Sequence, residues 1–348
     1  MTDGPLAPNI DPPTPNIDLY SRNGFLGPFA TIVKANYGPD YQRVVGTYAP
    51  YLLNTSRVSS AKADGRELPQ ALLVGQGVSV EIFNASTPAA FALRNVLCDE
   101  VLYVLRGSGS LDTDLGVLAI TEGDFVMIPR ALSYRVAQVQ SPLSIILIAT
   151  RSTLKLEPEG FPGVLNTDID VHVPQPYSDP VGPPGEYEVV IRHGENMTSY
   201  FYERDPLRCI ATVGPPQIRR FSIDKMQAWG IETGGIMPPR IINDPTSNTL
   251  FFYIGTRRSD RPPIHHNADY DEIIVYAKGP HSYGALDEPG LITWVPQGIV
   301  HHGPEEDTPT PYKAWLMESR SPLTLTPAGR QIAKLMETSL FGTHSTAT

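Results

Sequence analysis

From residue 78 the chain alternates between apolar and polar positions. Val78, Val80 and Ile82 are separated by Ser79 and Glu81, the period-two pattern of a half-buried strand. Short apolar runs follow: Val101 to Leu105 closing on Gly107, Gly109 to Leu111, Val117 to Ile120, Phe125 to Ile128 after Gly123-Asp124, and Leu143 to Ile148. Short strands separated by Gly and Asp turns predict an antiparallel barrel or sandwich.

The same grammar returns later in the chain. Asp99-Glu100 opens an apolar run that closes on Gly107, and Asp271-Glu272 opens one that closes on Gly279. Gly123 leads to Pro129 at the spacing at which Gly290 leads to Pro296. Tyr134 follows Pro129 at the spacing at which His301 follows Pro296. Three matching spacings predict an internal duplication and two related β-barrels. The expected division is 1–75 for an arm and peripheral strands, 76–155 for the first barrel, 156–185 for a linker, 186–325 for the second barrel and 326–348 for a C-terminal helix and tail. Glu157 to Gly185 is dense in Pro, Gly and Asp, so it reads as a crossing rather than a helix. Val189 to His193 and Ser199 to Tyr202 predict a further hairpin. Thr326-Pro327 can cap a helix, and Ile332, Leu335 and Met336 extend it to near Gly342.

Chemistry separates the two copies. Four of the 8 histidines fall in two clusters, His265-His266 and His301-His302. A strand-end histidine, the Glu272 carboxylate on the next strand and a histidine returning from the following hairpin can meet at one point. Two imidazoles and a carboxylate are the ligand set of a mononuclear iron(II) site with open coordination positions. Adjacent residues on a strand face opposite sides, so one histidine of each pair points inward. In the first copy Leu93 and Tyr134 stand where the second has His265 and His301, so that barrel is expected to be metal-free.

Composition narrows the partners. The net charge of −10 and the lack of a Lys/Arg block argue against nucleic acid and anionic membrane. No apolar run approaches the ~18 residues of a membrane helix. Met1 to Pro5 have no secretory character, and two cysteines, Cys98 and Cys209, build no disulfide framework. A reducing, cytoplasmic setting is expected.

His265-x-Asn267, Glu272, Gly279, Gly290 and Pro296-x-Gly298-x-x-His301 resemble the cupin motifs. Within the cupins, His-x-Asn, the Asp-Glu pair and His302-Gly303-Pro304 are similar to the homogentisate 1,2-dioxygenase family. So are Tyr187 to Ile191, Tyr200 to Tyr202 and Asp205 to Leu207. The likeness covers roughly residues 80 to 320. It implies an all-β bicupin, two jelly-roll barrels with a short C-terminal helix. It implies Fe(II) in the second barrel and cleavage of a para-diol aromatic ring, hydroquinone- or homogentisate-like, with both atoms of O2. It also implies an oligomer, and a smaller partner subunit if the chain follows the two-component hydroquinone dioxygenases. A non-oxidative metal-dependent cupin, an isomerase or hydrolase, or a small-molecule binder is the competing class. The resemblance to the homogentisate enzymes implies a further upstream histidine for acid/base work and substrate binding. This chain has none between His193 and His265, which leaves a simpler hydroquinone-type substrate or another acid/base residue as open choices.

By the motif, His265, Glu272 and His301 are the expected ligands. His266 and His302 are expected to support catalysis from the substrate side. Asn267 shares a face with His265 and is expected either at substrate or in the hairpin backbone. His281 is a proton-shuttle candidate, with Tyr283 and Arg257 as candidate substrate contacts and solvated turn residues as the alternative. Trp294 alternates with Val295 and is expected in the core rather than stacked on substrate, and Tyr276 follows Glu272 on the same hairpin.

Overall fold

The computed structural model describes residues 17–34, 43–58, 64–156, 164–226, 238–255, 264–278, 290–301 and 313–336. Two large sheets dominate, of eleven and eight strands, with a three-stranded sheet at the N-terminal end. The architecture is the expected all-β bicupin.

In the first barrel, Val78–Ala85 runs antiparallel to Ser133–Thr150, which pairs in turn with Asp99–Thr113. Asp99–Thr113 also carries Gly116–Thr121 and Asp124–Ile128. Gly107 lies within this long strand at φ +87°. A Cβ there would collide with the Pro142 carbonyl oxygen, so glycine alone fits the conformation and the space.

In the second barrel, Thr249–Gly255, Lys313–Ser319, Asp271–Lys278 and Leu291–Val295 pair in that order, all antiparallel. The registers show the duplication. Glu100 lies opposite Ile128, just before Pro129, and Glu272 lies opposite Val295, just before Pro296. The preceding aspartate does one structural job twice. Asp99 accepts hydrogen bonds from the Arg130 and Leu154 amides at 3.0 and 2.9 Å. Asp271 accepts from the Gln297 and Leu323 amides at 3.0 and 2.8 Å. Each buried carboxylate ties a strand to the turn beside it and to the segment leaving the barrel.

Strand alternation sends one face of each sheet toward the other barrel. Tyr103 and Phe125 from the first meet Phe251 and Trp315 from the second. Tyr103 and Trp315 have ring centroids 5.5 Å apart, and Phe125 and Trp315 lie edge to face at 5.6 Å. Trp315 is fully buried. Rings of this size dominate the burial energy of a core.

The two halves also exchange strands. Tyr51–Asn54 extends the second sheet, pairing with Leu291–Val295. Thr324–Leu325 pairs with Gln70–Gly75 of the first sheet. The hairpin of Pro184–His193 and Asn196–Arg204 extends the first sheet through parallel pairing with Ala92–Asn95. Ile17–Ser21 lies parallel to His265–Asn267.

The C-terminal helix forms, and Thr326 caps it by accepting from the Gly329 amide at 3.0 Å. It is shorter than the apolar spacing predicts, spanning Pro327–Ile332. Ala333–Leu335 leaves the helix to pair with Tyr51–Asn54, because an open strand edge offers those backbone groups partners. Residues from 337 on lie outside the described residues. Among the described residues no helix is long and apolar enough to cross a membrane.

Candidate metal centre

His265 begins the short strand His265–Asn267, and His301 ends the turn that follows Pro296. They face each other as an isolated antiparallel pair. The His265 amide donates to the His301 carbonyl at 2.8 Å, and the His301 amide returns the bond at 2.9 Å. This pairing sets the two imidazole rings 4.2 Å apart, centroid to centroid, tilted by 54°. Glu272, on the strand Asp271–Lys278, brings its carboxylate to both. Its Oε2 lies 3.4 Å from His301 Nε2 and 4.0 Å from His265 Nε2. One ligand atom from each of the three lies within 4.8 Å of the others.

The electrostatics are those of a site built around positive charge. Burial alone would push the Glu272 carboxyl up. The charge and hydrogen bond of His301, followed by His265 and Asn267, outweigh it and hold Glu272 down at about 2. Burial pushes the His301 imidazole down, but Glu272 outweighs it and raises the ring. A proton on the His301 imidazole thus balances a buried carboxylate. A divalent cation can take over that balance, since it binds neutral imidazole and ionised carboxylate. His301 Nδ1 bonds the Ile299 carbonyl at 2.9 Å, which leaves Nε2 toward Glu272. Metal-binding histidines are oriented by this type of second contact. Nitrogen and oxygen donors without thiolate suit iron(II). Cys98 and Cys209 are free and belong to other parts of the chain. The donor set, its spacing and its burial therefore fit a mononuclear metal ion.

His266 turns to the other face of its strand. Its Nδ1 meets the Asp18 carboxylate at 2.8 Å, and Asp18 is fully buried. Asp18 lies on the N-terminal strand that pairs with His265–Asn267, so His266 fixes the arm to the metal strand. Asn267 is buried, and its amide donates to Glu318 Oε1 at 3.0 Å while its oxygen accepts from the Asp269 amide at 3.2 Å. The second of these contacts is the backbone-satisfying role weighed for it. Trp294 belongs to the core. It stacks on Tyr51 and donates to Asp271 at 2.8 Å. His281, His302, Tyr283 and Arg257 lie outside the described residues.

Glu318 escaped the sequence reading. It sits on Lys313–Ser319 directly across from Glu272 and is fully buried. Burial, reinforced by the charge of Glu272, pushes its carboxyl well above the usual carboxylate range. Gly24 at φ +57° closes over it, and a Cβ there would collide with the carboxyl. The signal available in sequence was a lone charge ending the apolar run Ala314 to Met317.

The first barrel repeats this geometry with other side chains. Leu93 and Tyr134 are strand partners, as His265 and His301 are. Asn95 donates to Glu100 at 2.9 Å. Without imidazoles nearby, burial prevails and Glu100 is pushed up to about 7. A leucine and a tyrosine do not reproduce the two imidazoles that face Glu272 in the second barrel.

No family model matches the chain. Among solved structures it is similar to a cupin 2 conserved barrel domain protein from Leptotrichia buccalis. Identity is 12%, over 78% of this chain and 97% of that one, with a TM-score of 0.42. A glyoxylate-induced protein from Pseudomonas aeruginosa matches at 12% identity over 82% and 95% of the two chains, TM-score 0.41. A point variant of Bacillus subtilis oxalate decarboxylase matches at 12% identity over 80% and 78%, TM-score 0.41. Likeness at this level carries no activity across. The bicupin assignment rests on the strand registers described above.

Proposed function

We propose that the protein is an iron(II)-dependent ring-cleaving dioxygenase acting on a para-diol aromatic of the hydroquinone or homogentisate type. The observation that carries this reading is the convergence of His265, Glu272 and His301 on one point. The motif resemblance of the same residues selects dioxygenase chemistry among the uses of such a site. Iron(II), when bound, supplies open coordination positions and a route for electrons from an electron-rich ring to dioxygen.

The chain's own groups have definable roles in this reading. Glu272 supplies the negative charge that lets a divalent cation reside in a buried site. His301, held through Nδ1 by Ile299, presents Nε2 in a fixed direction. Asn267 links Glu272 to Glu318 and sets the position of both carboxyls. Glu318 is a positioning residue that keeps its proton, so it adds no second negative charge.

The test is anaerobic loading of the purified chain with iron(II), followed by air and a panel of substituted para-diols at an oxygen electrode. Oxygen uptake with one diol, lost in His265→Ala and Glu272→Ala, is the expected result. Turnover without oxygen uptake, or metal binding without any turnover, would point to a non-oxidative cupin. Activity that emerges only when a smaller companion chain is added would identify this protein as the catalytic subunit of a two-component enzyme.

A further inference from the structure

We infer that the strand Asn196–Arg204 is an interface between two copies of this chain, pairing antiparallel with itself across a two-fold axis at Tyr200. This strand ends the eleven-stranded sheet. Its one strand partner among the described residues is Pro184–His193, and all nine of its residues are exposed. The other strands that end a sheet path hold only two to five residues. Short edges are one protection against pairing with another chain, and charge, proline and bulges are others. Met197 to Tyr202 has no charge, proline or glycine, and its ladder with Pro184–His193 runs without a bulge.

The residue order identifies the occupant. In a two-fold contact each residue meets the partner of its own mirror position. With Tyr200 on the axis, Ser199 lies across from Phe201, Thr198 from Tyr202, Met197 from Glu203 and Asn196 from Arg204. Each flanking ring meets a small hydroxyl side chain, and no like charges face each other, as a stable cross-strand ladder requires. The carboxylate beside the middle of the strand is Glu188, opposite Phe201 within the chain. It is already matched, accepting from Arg66 at 2.9 Å and from the Ser199 hydroxyl at 2.6 Å. On a chain of net charge −10, whose copies repel each other in general, this edge is a neutral place of approach.

The area sets the strength. Tyr200, Phe201 and Tyr202 are 52%, 60% and 38% exposed. An aromatic side chain offers about 150–250 Å², so the three rings can withdraw roughly 300 Å² per copy from water. A standard interface buries roughly 800 Å² per partner. The rings, Met197 and the open backbone edge therefore make a contact at the small end of that range, and the dimer is reversible and depends on concentration. The hairpin extends the first sheet, so the interface does not depend on the chemistry proposed for the second barrel.

The experiment is sedimentation velocity of the full chain over a wide range of concentration. Self-association is expected, and Tyr200→Lys is expected to weaken it at least tenfold by placing two like charges on the axis. The same substitution makes the chain less negative overall, so general repulsion cannot explain a loss. If the parent forms a larger assembly, Tyr200→Lys is expected to halve it. Circular dichroism checks that the variant is folded. A second variant reads the register. Tyr200→Cys brings two thiols together on the axis and is expected to give a disulfide-linked dimer under mild oxidation, while Asn196→Cys, four residues from the axis, is not. A parent that stays monomeric, an assembly unchanged in Tyr200→Lys, or crosslinking no greater in Tyr200→Cys than in Asn196→Cys would each overturn the proposal.

Discussion

Glu100 and Glu272 occupy the same rung of two equivalent ladders, yet their carboxyls are driven in opposite directions. Burial pushes Glu100 up to about 7, and two imidazoles pull Glu272 down to about 2. The backbone is repeated and the chemistry is not. What differs is the pair of side chains facing each glutamate, Leu93 and Tyr134 in one barrel, His265 and His301 in the other.

The register of the histidine pairs makes a direct prediction. His265→Ala and Glu272→Ala are expected to weaken metal binding at least a hundredfold, since each removes one of three ligands. His266→Ala is expected to stay within about tenfold of the parent, as loss of an outer contact does. Metal titration followed by elemental analysis separates the two cases. A His266→Ala chain as metal-poor as His265→Ala would place the wrong histidine at the centre.

Glu100 predicts a pH dependence of stability. Its folded value, about 7, is raised from an ordinary 4.5, so the folded protein holds that proton more tightly than the unfolded chain. The contribution is complete below pH 4.5 and is lost as pH rises through 7. The difference amounts to roughly 3 kcal/mol for a fully buried group. In denaturant unfolding, Glu100→Gln is expected to match the parent near pH 4.5 and to exceed it by about that amount at pH 8. Parallel profiles for the two proteins would refute the assignment.

Asp18 is expected to matter at a distance. It is fully buried and holds His266, with Lys34 at 3.5 Å on its other oxygen. Asp18→Ala leaves a half-buried imidazole without this partner, a loss of about 1 kcal/mol. Metal affinity is expected to fall about tenfold with it, because the N-terminal strand braces the strand that carries His265. Normal affinity in the variant would show that the arm is dispensable to the site.

Gly24 offers a sharper probe of the same region. Gly24→Ala puts a side chain in the left-handed region, at a strain of about 1 kcal/mol or more, and drives it into Glu318. Thermal unfolding is expected to shift downward. Glu318→Ala in the same chain is expected to recover part of the shift by opening space. An additive double variant would mean that the two residues do not meet.

The clustering of His265, Glu272 and His301 was legible in the sequence because its parts are local. A histidine, a glutamate on the next strand and a histidine after a Pro-Gly turn keep their spacing along the chain. The duplication was legible for the same reason. The long-range partners were not. Nothing in Ile17–Ser21 announces parallel pairing with His265–Asn267, and Tyr51–Asn54 and Ala333–Leu335 meet across most of the chain. The helix predicted to near Gly342 stopped at Ile332 because an available strand edge outcompeted an apolar spacing of three and four. Glu318 was hidden because its meaning depends on Glu272 lying opposite, which only the register supplies.

Tyr51–Asn54 completes the later sheet, and Thr324–Leu325 joins the earlier one. Each repeat therefore borrows a thread from the far end of the polypeptide. A protease cut between the repeats would nick the molecule without parting it, and neither fragment expressed by itself would have the strands to finish its own sheet. The halves of this duplicated chain have become a clasp that opens only by unfolding.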